Sequence, residues 1–130
     1  MIVPSGPTSE ARAVVAVYEP VLASSLELAL LAGGFSAILH DPAQGLEDLP
    51  LESVAVLILD PRVLKSNPLI IDGLRARPWR GLAILITGDG EPLRRAFERV
   101  ERVAVLEMPF VGADLIAAIR DADTPDSPAD

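Results

Sequence analysis

The residues best suited to chemistry all lie at the end of a short run of apolar residues or directly after it. They are Val17 and Tyr18 at the end of the first run and Glu19 after it, Asp60 after the third, Thr87 after the fourth, and Glu107, Met108 and Pro109 after the fifth. Their carboxylate and hydroxyl groups can hold a ligand through oxygen atoms. We therefore treat these positions as the candidate functional site.

Other kinds of site have little support in the composition. The chain has no cysteine and one histidine, His40, which excludes disulfides and metal sites built from thiolates or several histidines. The same count argues against a Ser–His–Asp triad, and we interpret His40 as a structural or surface residue. Gly88 and Gly90 do not belong to a phosphate-binding loop, because no Gly-x-x-x-x-Gly-Lys-Ser/Thr motif is present.

Five short apolar runs predict the strands that position these residues. The runs are Ala13–Tyr18, Phe35–Leu39, Val54–Leu59, Leu82–Ile86 and Val103–Leu106. Each is continuous rather than alternating, which is typical of strands buried on both faces of a parallel sheet. In such folds the ligand crevice lies at the carboxyl ends of the strands. We therefore expect the candidate residues to meet at that edge.

The segments between the runs show the spacing of amphipathic helices. The apolar stripes are Leu22, Leu26, Ala29 and Leu30; Leu93, Ala96, Phe97 and Val100; and Val111, Leu115, Ile116 and Ile119. Two weaker helices are predicted over Ala43–Leu49 and Pro68–Ala76. Strands alternating with helices predict a three-layer α/β fold, a flavodoxin-like doubly wound sheet of five parallel strands in the order 2-1-3-4-5. We expect this domain to span residues 12–122, with flexible segments at 1–11 and 123–130.

Four stretches resemble the receiver domain of response regulators, the module that two-component signalling phosphorylates. AVYEP is similar to the end of the first receiver strand, and VAVLILD ends at Asp60, where receivers carry the phosphoacceptor aspartate. LAILITG contains Thr87 at the position of the switch hydroxyl, and LEMPF is similar to the turn after the fifth strand. The resemblance spans residues 13–122, and it implies a bacterial signalling protein.

Three parts of the receiver phosphorylation site differ in this sequence. Val17 and Tyr18 occupy the positions of the acidic pair that binds Mg²⁺, and Met108 stands where receivers carry a lysine. The aromatic switch residue is also replaced, by Val105. Mg²⁺ needs oxygen ligands and phosphoryl transfer needs neutralising charge, so the resemblance implies a degenerate site. If Glu19 turned into the crevice, it could still hold a metal with Asp60.

The net charge of −8 argues against direct binding to nucleic acid or acidic membranes. The first residues lack the pattern of a signal peptide, and we expect a cytoplasmic protein. Against this acidic background, four basic residues cluster on the predicted fourth helix and its end: Arg94, Arg95, Arg99 and Arg102. They favour either a docking face for an acidic partner or a solvated face with i, i+4 ion pairs to glutamates.

Three functions are compatible with these observations. The first is a non-enzymatic, atypical receiver that needs no cofactor and contacts a histidine kinase or an output protein. The second is a functional, Mg²⁺-dependent receiver phosphorylated on Asp60. The third is a small ligand-binding domain whose crevice is lined by Tyr18, Met108 and Thr87. The resemblance also implies pairing of two copies through the fourth helix, the fifth strand and the fifth helix.

Overall fold

A five-stranded parallel sheet organises the computed structural model, which describes residues 12–44, 49, 51–77, 79–88, 90–97, 100 and 102–123. The strands are β1 (Arg12–Ala16), β2 (Ser36–Leu39), β3 (Val56–Leu59), β4 (Leu82–Thr87) and β5 (Val103–Glu107). Their order is β2-β1-β3-β4-β5, which confirms the predicted flavodoxin-like α/β fold. Of the segments predicted to be flexible, residues 1–11 and 124–130 lie outside the described residues, whereas Asp123 is the last residue of α5.

Helices cover both faces of this sheet. Within the described residues they are α1 (Pro20–Ala32), α2 (Pro61–Ser66), α3 (Ile70–Ala76), α4 (Gly90–Phe97) and α5 (Gly112–Asp123), with 3₁₀ turns at Pro42–Gln44 and Leu51–Ser53. None of the helices in this part of the chain is long and apolar enough to cross a membrane.

The helices predicted from apolar spacing are present, with two differences and one addition. The stripe that reaches Val100 is shorter than predicted, because α4 ends at Phe97. The weaker helix over Pro68–Ala76 corresponds to α3, whereas Ala43–Leu49 begins as a 3₁₀ turn and residues 45–48 lie outside the described part. The addition is α2, a six-residue helix that begins directly after Asp60.

The central strands are buried on both faces, which explains their unbroken apolar sequences. Every residue of β3 and β4 is buried, and in β1 only Arg12 is exposed. Because side chains alternate along a strand, they divide between two cores. One core lies beneath α1 and α5 and includes Leu26 and Leu115. The other lies beneath α2 and α3 and includes Val63 and Leu74.

A buried tryptophan closes the second core at the amino ends of the strands. The Nε1–H of Trp79 donates a hydrogen bond to the carbonyl oxygen of Val54 at 2.8 Å, and its side chain is buried. The guanidinium of Arg75 lies 5.2 Å from the centre of the Trp79 ring and donates to the Trp79 carbonyl oxygen at 2.9 Å. Trp79 therefore acts as a core residue and leaves no exposed indole for a partner.

This packing gives a prediction for Gly81, which precedes β4. A Cβ at position 81 would lie 2.3 Å from Cζ2 of Trp79 and 2.7 Å from the carbonyl oxygen of Ala55. We expect Gly81→Ala to lower the free energy of unfolding by about 1–3 kcal/mol, the typical effect of overpacking. Gly88→Ala is the control, because a Cβ there meets no described atom within 4 Å. Equal urea midpoints for the two variants would contradict the packing.

Candidate functional site

The parallel register brings the ends of four strands to one edge of the sheet, called here the carboxyl edge. Ala16 of β1 pairs with Leu59 of β3, so the residues that follow these two strands start from the same level. Thr87 of β4 pairs with Glu107 of β5, and the Thr87 carbonyl oxygen accepts a hydrogen bond from the N–H of Met108 at 2.7 Å. The candidate residues therefore lie along this edge, as the sequence predicts.

Asp60 holds the centre of the carboxyl edge, with a side chain that is only 6% exposed. Its Oδ1 accepts a hydrogen bond from the N–H of Arg62 at 2.8 Å, which caps the first turn of α2. Its Oδ2 accepts a hydrogen bond from the N–H of Tyr18 at 2.9 Å, across the sheet from the loop that follows β1. Each carboxylate oxygen thus accepts one backbone N–H, one from the loop after β1 and the other from the start of α2.

Glu19 serves as the cap of a different helix. Its Oε1 accepts a hydrogen bond from the N–H of Leu22 at 2.8 Å, and Pro20 occupies the first position of α1. Both features are typical of helix starts, because the first N–H groups of a helix lack partners and proline has none to satisfy. The acidic residue that could have turned into the crevice therefore caps α1 instead.

Val17 and Tyr18 leave the carboxyl edge in opposite directions. Val17 is buried in the core beneath α1 and α5. Tyr18 is half-buried and packs against the core beneath α2 and α3, where the guanidinium carbon of Arg62 lies 5.0 Å from the centre of its ring. The positions at which receivers place an acidic pair thus carry side chains that extend the two cores.

Thr87 lines a cleft of about 370 Å³ between α2 and α4, called here the Thr87 cleft. Its described lining is Pro61, Arg62, Leu64, Lys65, Thr87 and Leu93. Thr87 is 7% exposed, whereas Met108 is 36% exposed and precedes a cis peptide bond to Pro109. Neither Tyr18 nor Met108 belongs to this described lining. The Thr87 cleft is therefore not the crevice that would combine Tyr18, Met108 and Thr87.

Arg62 and Lys65 are residues of the site that the sequence analysis did not identify. They lie on α2, which is too short to show an apolar period, and they add positive charge to the Thr87 cleft. The signal that could have revealed α2 is the pair Asp60-Pro61. An aspartate followed by proline is a common way to begin a helix.

The described residues do not fit the Mg²⁺ ion that the receiver resemblance implies. Mg²⁺ is bound by oxygen atoms in a near-octahedral arrangement, usually with one or two carboxylates. Glu19 is oriented toward the start of α1 and Asp60 toward the start of α2, and Val17 and Tyr18 supply no carboxylate. Across the described part of the chain, no three His, Cys, Asp or Glu side chains group closely enough to hold a metal ion.

The three described arginines of the predicted basic cluster lie in different environments. Arg94 and Arg95 are exposed on α4, and the Nη1 of Arg94 lies 3.6 Å from Oε1 of Glu107. An exposed ion pair of this kind adds little stability. Arg102 lies just before β5, where its Nη1 donates a hydrogen bond to the carbonyl oxygen of Ala122 at 2.9 Å and secures the end of α5. Arg99 lies outside the described residues.

The fold is shared with solved receiver structures. A response regulator receiver domain protein from Bacillus halodurans matches with a TM-score of 0.73 and 18% identity, over 91% of this chain and 100% of that chain. A sensor protein from Polaromonas sp. JS666 matches with a TM-score of 0.65 and 21% identity, over 86% and 94%. A CheY-like receiver domain protein from Methanospirillum hungatei JF-1 matches with a TM-score of 0.66 and 17% identity, over 88% and 95%.

Comparison of sequences found no match, whereas comparison of structures found the receiver domains described above. No protein-family model matches the chain, and no curated protein is similar enough to count as a relative. The identities to the solved structures are low, so the similarity establishes the fold and not the activity. The chain has the fold of response-regulator receiver domains, as the sequence resemblance predicts.

Proposed function

We propose that this chain is an atypical receiver-fold signalling module that acts by protein–protein contact in the cytoplasm, without aspartyl phosphorylation. The observation that supports this most directly is the bonding of Asp60. Its two carboxylate oxygens accept the N–H groups of Tyr18 and Arg62 in a nearly buried position. Both bonds give this carboxylate a structural role, as the cap of α2 and as the acceptor that holds the loop after β1, and that role does not depend on phosphorylation.

The surroundings of Asp60 also give little help to phosphoryl transfer. Transfer relies on positive charge around the migrating phosphoryl group, which metal ions and lysine or arginine side chains normally supply. Val17, Tyr18 and Met108 carry neither a carboxylate nor a positive charge. Lys65 adds positive charge at the Thr87 cleft but cannot act as a ligand for Mg²⁺ in its charged form. We therefore assign no enzymatic step to the chain.

The surface between α2 and α4 is basic in a protein whose net charge is −8. Arg62 and Lys65 line the Thr87 cleft together with Leu93. Arg94 and Arg95 follow Leu93 on the exposed side of α4, and Arg94 is turned toward Glu107 of β5. Local positive charge on an acidic protein steers an acidic partner surface to this face. We expect the partner to be a histidine kinase, an output protein or a second copy of the chain.

Treatment with acetyl phosphate and Mg²⁺ is expected to leave the chain unmodified, because its site lacks both the metal ligands and the lysine. Intact-mass spectrometry and Phos-tag electrophoresis measure the outcome, with a conventional receiver as positive control. A phosphoryl adduct on the wild-type chain that is absent from Asp60→Asn would overturn the proposal. It would establish the alternative, a receiver regulated by phosphorylation on Asp60.

Replacing Asp60 separates a structural role from a chemical one. Asp60→Ala removes the cap of α2 and the acceptor for the Tyr18 N–H, so we expect the free energy of unfolding to fall by about 1–3 kcal/mol. Asp60→Asn keeps one acceptor oxygen and should lose less. Urea unfolding checks both variants. If Asp60→Ala proved more stable than wild type, the carboxylate would be a strained functional group and not a structural one.

Charge reversal on α4 tests the docking face. If two copies pair through α4, β5 and α5, Arg94 of one copy can meet Glu107 of the other, because such interfaces use the same patch on both subunits. The double variant Arg94→Glu, Arg95→Glu is then expected to remove the concentration-dependent dimer seen by sedimentation velocity. Arg12→Glu, exposed at the amino end of β1 and far from this face, is the control for a change of charge. A dimer that persists in the double variant would exclude this face as the contact between copies.

A further inference from the structure

A second concave site lies on the face of the sheet that α2 and α3 cover, and it is separate from the Thr87 cleft. We call it the α2–α3 groove; its volume is about 470 Å³. Its lining includes Tyr18, Pro42, Val63, Ile70, Gly73 and Arg77. Pockets that bind small molecules typically measure about 300–1,000 Å³. The groove is therefore large enough for a small molecule of one or two rings.

The walls of the groove are mainly apolar. Val63, Ile70 and Leu74 are buried core residues that also form its floor, and Tyr18 contributes an aromatic ring. Leu69, which also lines the groove, is 68% exposed. Removing the apolar surface of this side chain from water on binding is favourable. The walls therefore favour a flat apolar molecule.

The charged groups around the groove favour an anion. Arg77 lines it, and the guanidinium of Arg62 lies against the Tyr18 ring, 5.0 Å from its centre. Asp41, which precedes Pro42, keeps its negative charge while its Oδ1 accepts the N–H of Ala43 at 3.0 Å, so the two arginines outnumber this one carboxylate. Arginine recognises carboxylates and sulfonates through several N–H donors at once.

We propose that the α2–α3 groove binds a small molecule with a flat aromatic body and one anionic group, such as an aryl carboxylate. The aromatic body lies on the apolar floor against Tyr18, and the anionic group faces Arg77. A protein partner that covers the same groove is the competing occupant. The proposal does not depend on the signalling function, because it uses neither the carboxylate of Asp60 nor the basic face of α4.

A substitution at Gly73 can be used to fill the groove. It lies on α3, it is exposed, and a Cβ at this position meets no described atom within 4 Å. A side chain added there can enter the groove without disturbing the core. Gly73→Phe therefore fills the groove, while Gly73→Ala changes the same helix position without filling it. Both variants replace a glycine inside a helix and should not destabilise α3.

The probe is anilinonaphthalene sulfonate, which has a flat aromatic body, one anionic group and fluorescence that rises in apolar surroundings. We expect saturable binding to the wild-type chain and to Gly73→Ala with similar affinity. Gly73→Phe is expected to weaken binding by about tenfold or more, since it occupies the same space. Aryl carboxylates such as salicylate and indole acetate should displace the probe. Thermal unfolding and near-ultraviolet circular dichroism verify that each variant keeps a packed core, because loosely packed proteins also bind this dye.

Arg77→Gln tests the recognition of the anion. It is expected to weaken anilinonaphthalene sulfonate by roughly tenfold, the effect of one hydrogen bond to a charged group. Phenylnaphthylamine, which has the same body without the sulfonate, should bind the wild-type chain and Arg77→Gln equally. Arg120→Gln on α5 makes the same change in net charge at a distant position and should leave both probes unaffected.

Three results would overturn the proposal. The first is the absence of saturable binding to the folded wild-type chain, which would leave a protein as the occupant of the groove. The second is equal binding of anilinonaphthalene sulfonate to Gly73→Phe and Gly73→Ala. The third is equal sensitivity of the charged and uncharged probes to Arg77→Gln, which would show that Arg77 affects the groove by shape alone. None of these results bears on whether Asp60 is phosphorylated.

Discussion

The hydrogen bonds of Asp60 join the elements on which the carboxyl edge depends. One oxygen accepts the N–H of Tyr18 after β1, and the other accepts the N–H of Arg62 at the start of α2. A nearly buried carboxylate is stable only when its oxygens find such partners, since burial without them carries a large free-energy penalty. The bonds therefore fix three things together: the path of the loop after β1, the first turn of α2, and the side of the sheet on which Tyr18 packs.

The alternation of side chains continues beyond β1 and explains why the two residues that follow this strand belong to the two cores. Val17 and Tyr18 continue the two-residue period of β1, so one side chain enters the core beneath α1 and α5 and the other packs beneath α2 and α3. Burying an apolar side chain of valine size stabilises a fold by about 1.5–3 kcal/mol. An acidic pair at the same positions would forgo that burial. Val17 and Tyr18 therefore provide packing contacts at positions where an acidic pair would provide oxygen ligands.

The strands could be predicted from the sequence because they are buried, whereas the directions of the side chains at the strand ends could not. The unbroken apolar runs predict the strands, because a central parallel strand has no solvent-facing side. Alternation with helices then predicts the sheet order. The sequence analysis did not predict α2, since six residues are too few to show a helical period. It also grouped Arg102 with α4 by spacing alone, while the structure places Arg102 before β5, against the end of α5.

The direction of Tyr18 could not be predicted for a more general reason. A tyrosine after a strand can fill a crevice or pack on either face, and the choice depends on which neighbours are available. Here α2 supplies Arg62, whose guanidinium covers the ring, and that helix exists because Asp60 and Pro61 begin it. An unpredicted helix therefore determines where a predicted site residue points.

Tyr18 takes part in two regions on the α2 side of the sheet, the carboxyl edge and the α2–α3 groove, through different atoms. Its backbone N–H donates to Asp60 at the carboxyl edge, and its ring forms part of the wall of the α2–α3 groove. Arg62 makes a similar link, because it lies over that ring and also lines the Thr87 cleft. A molecule that shifts the Tyr18 ring therefore changes its contact with Arg62. The contact between Tyr18 and Arg62 therefore joins the wall of the α2–α3 groove to the lining of the Thr87 cleft.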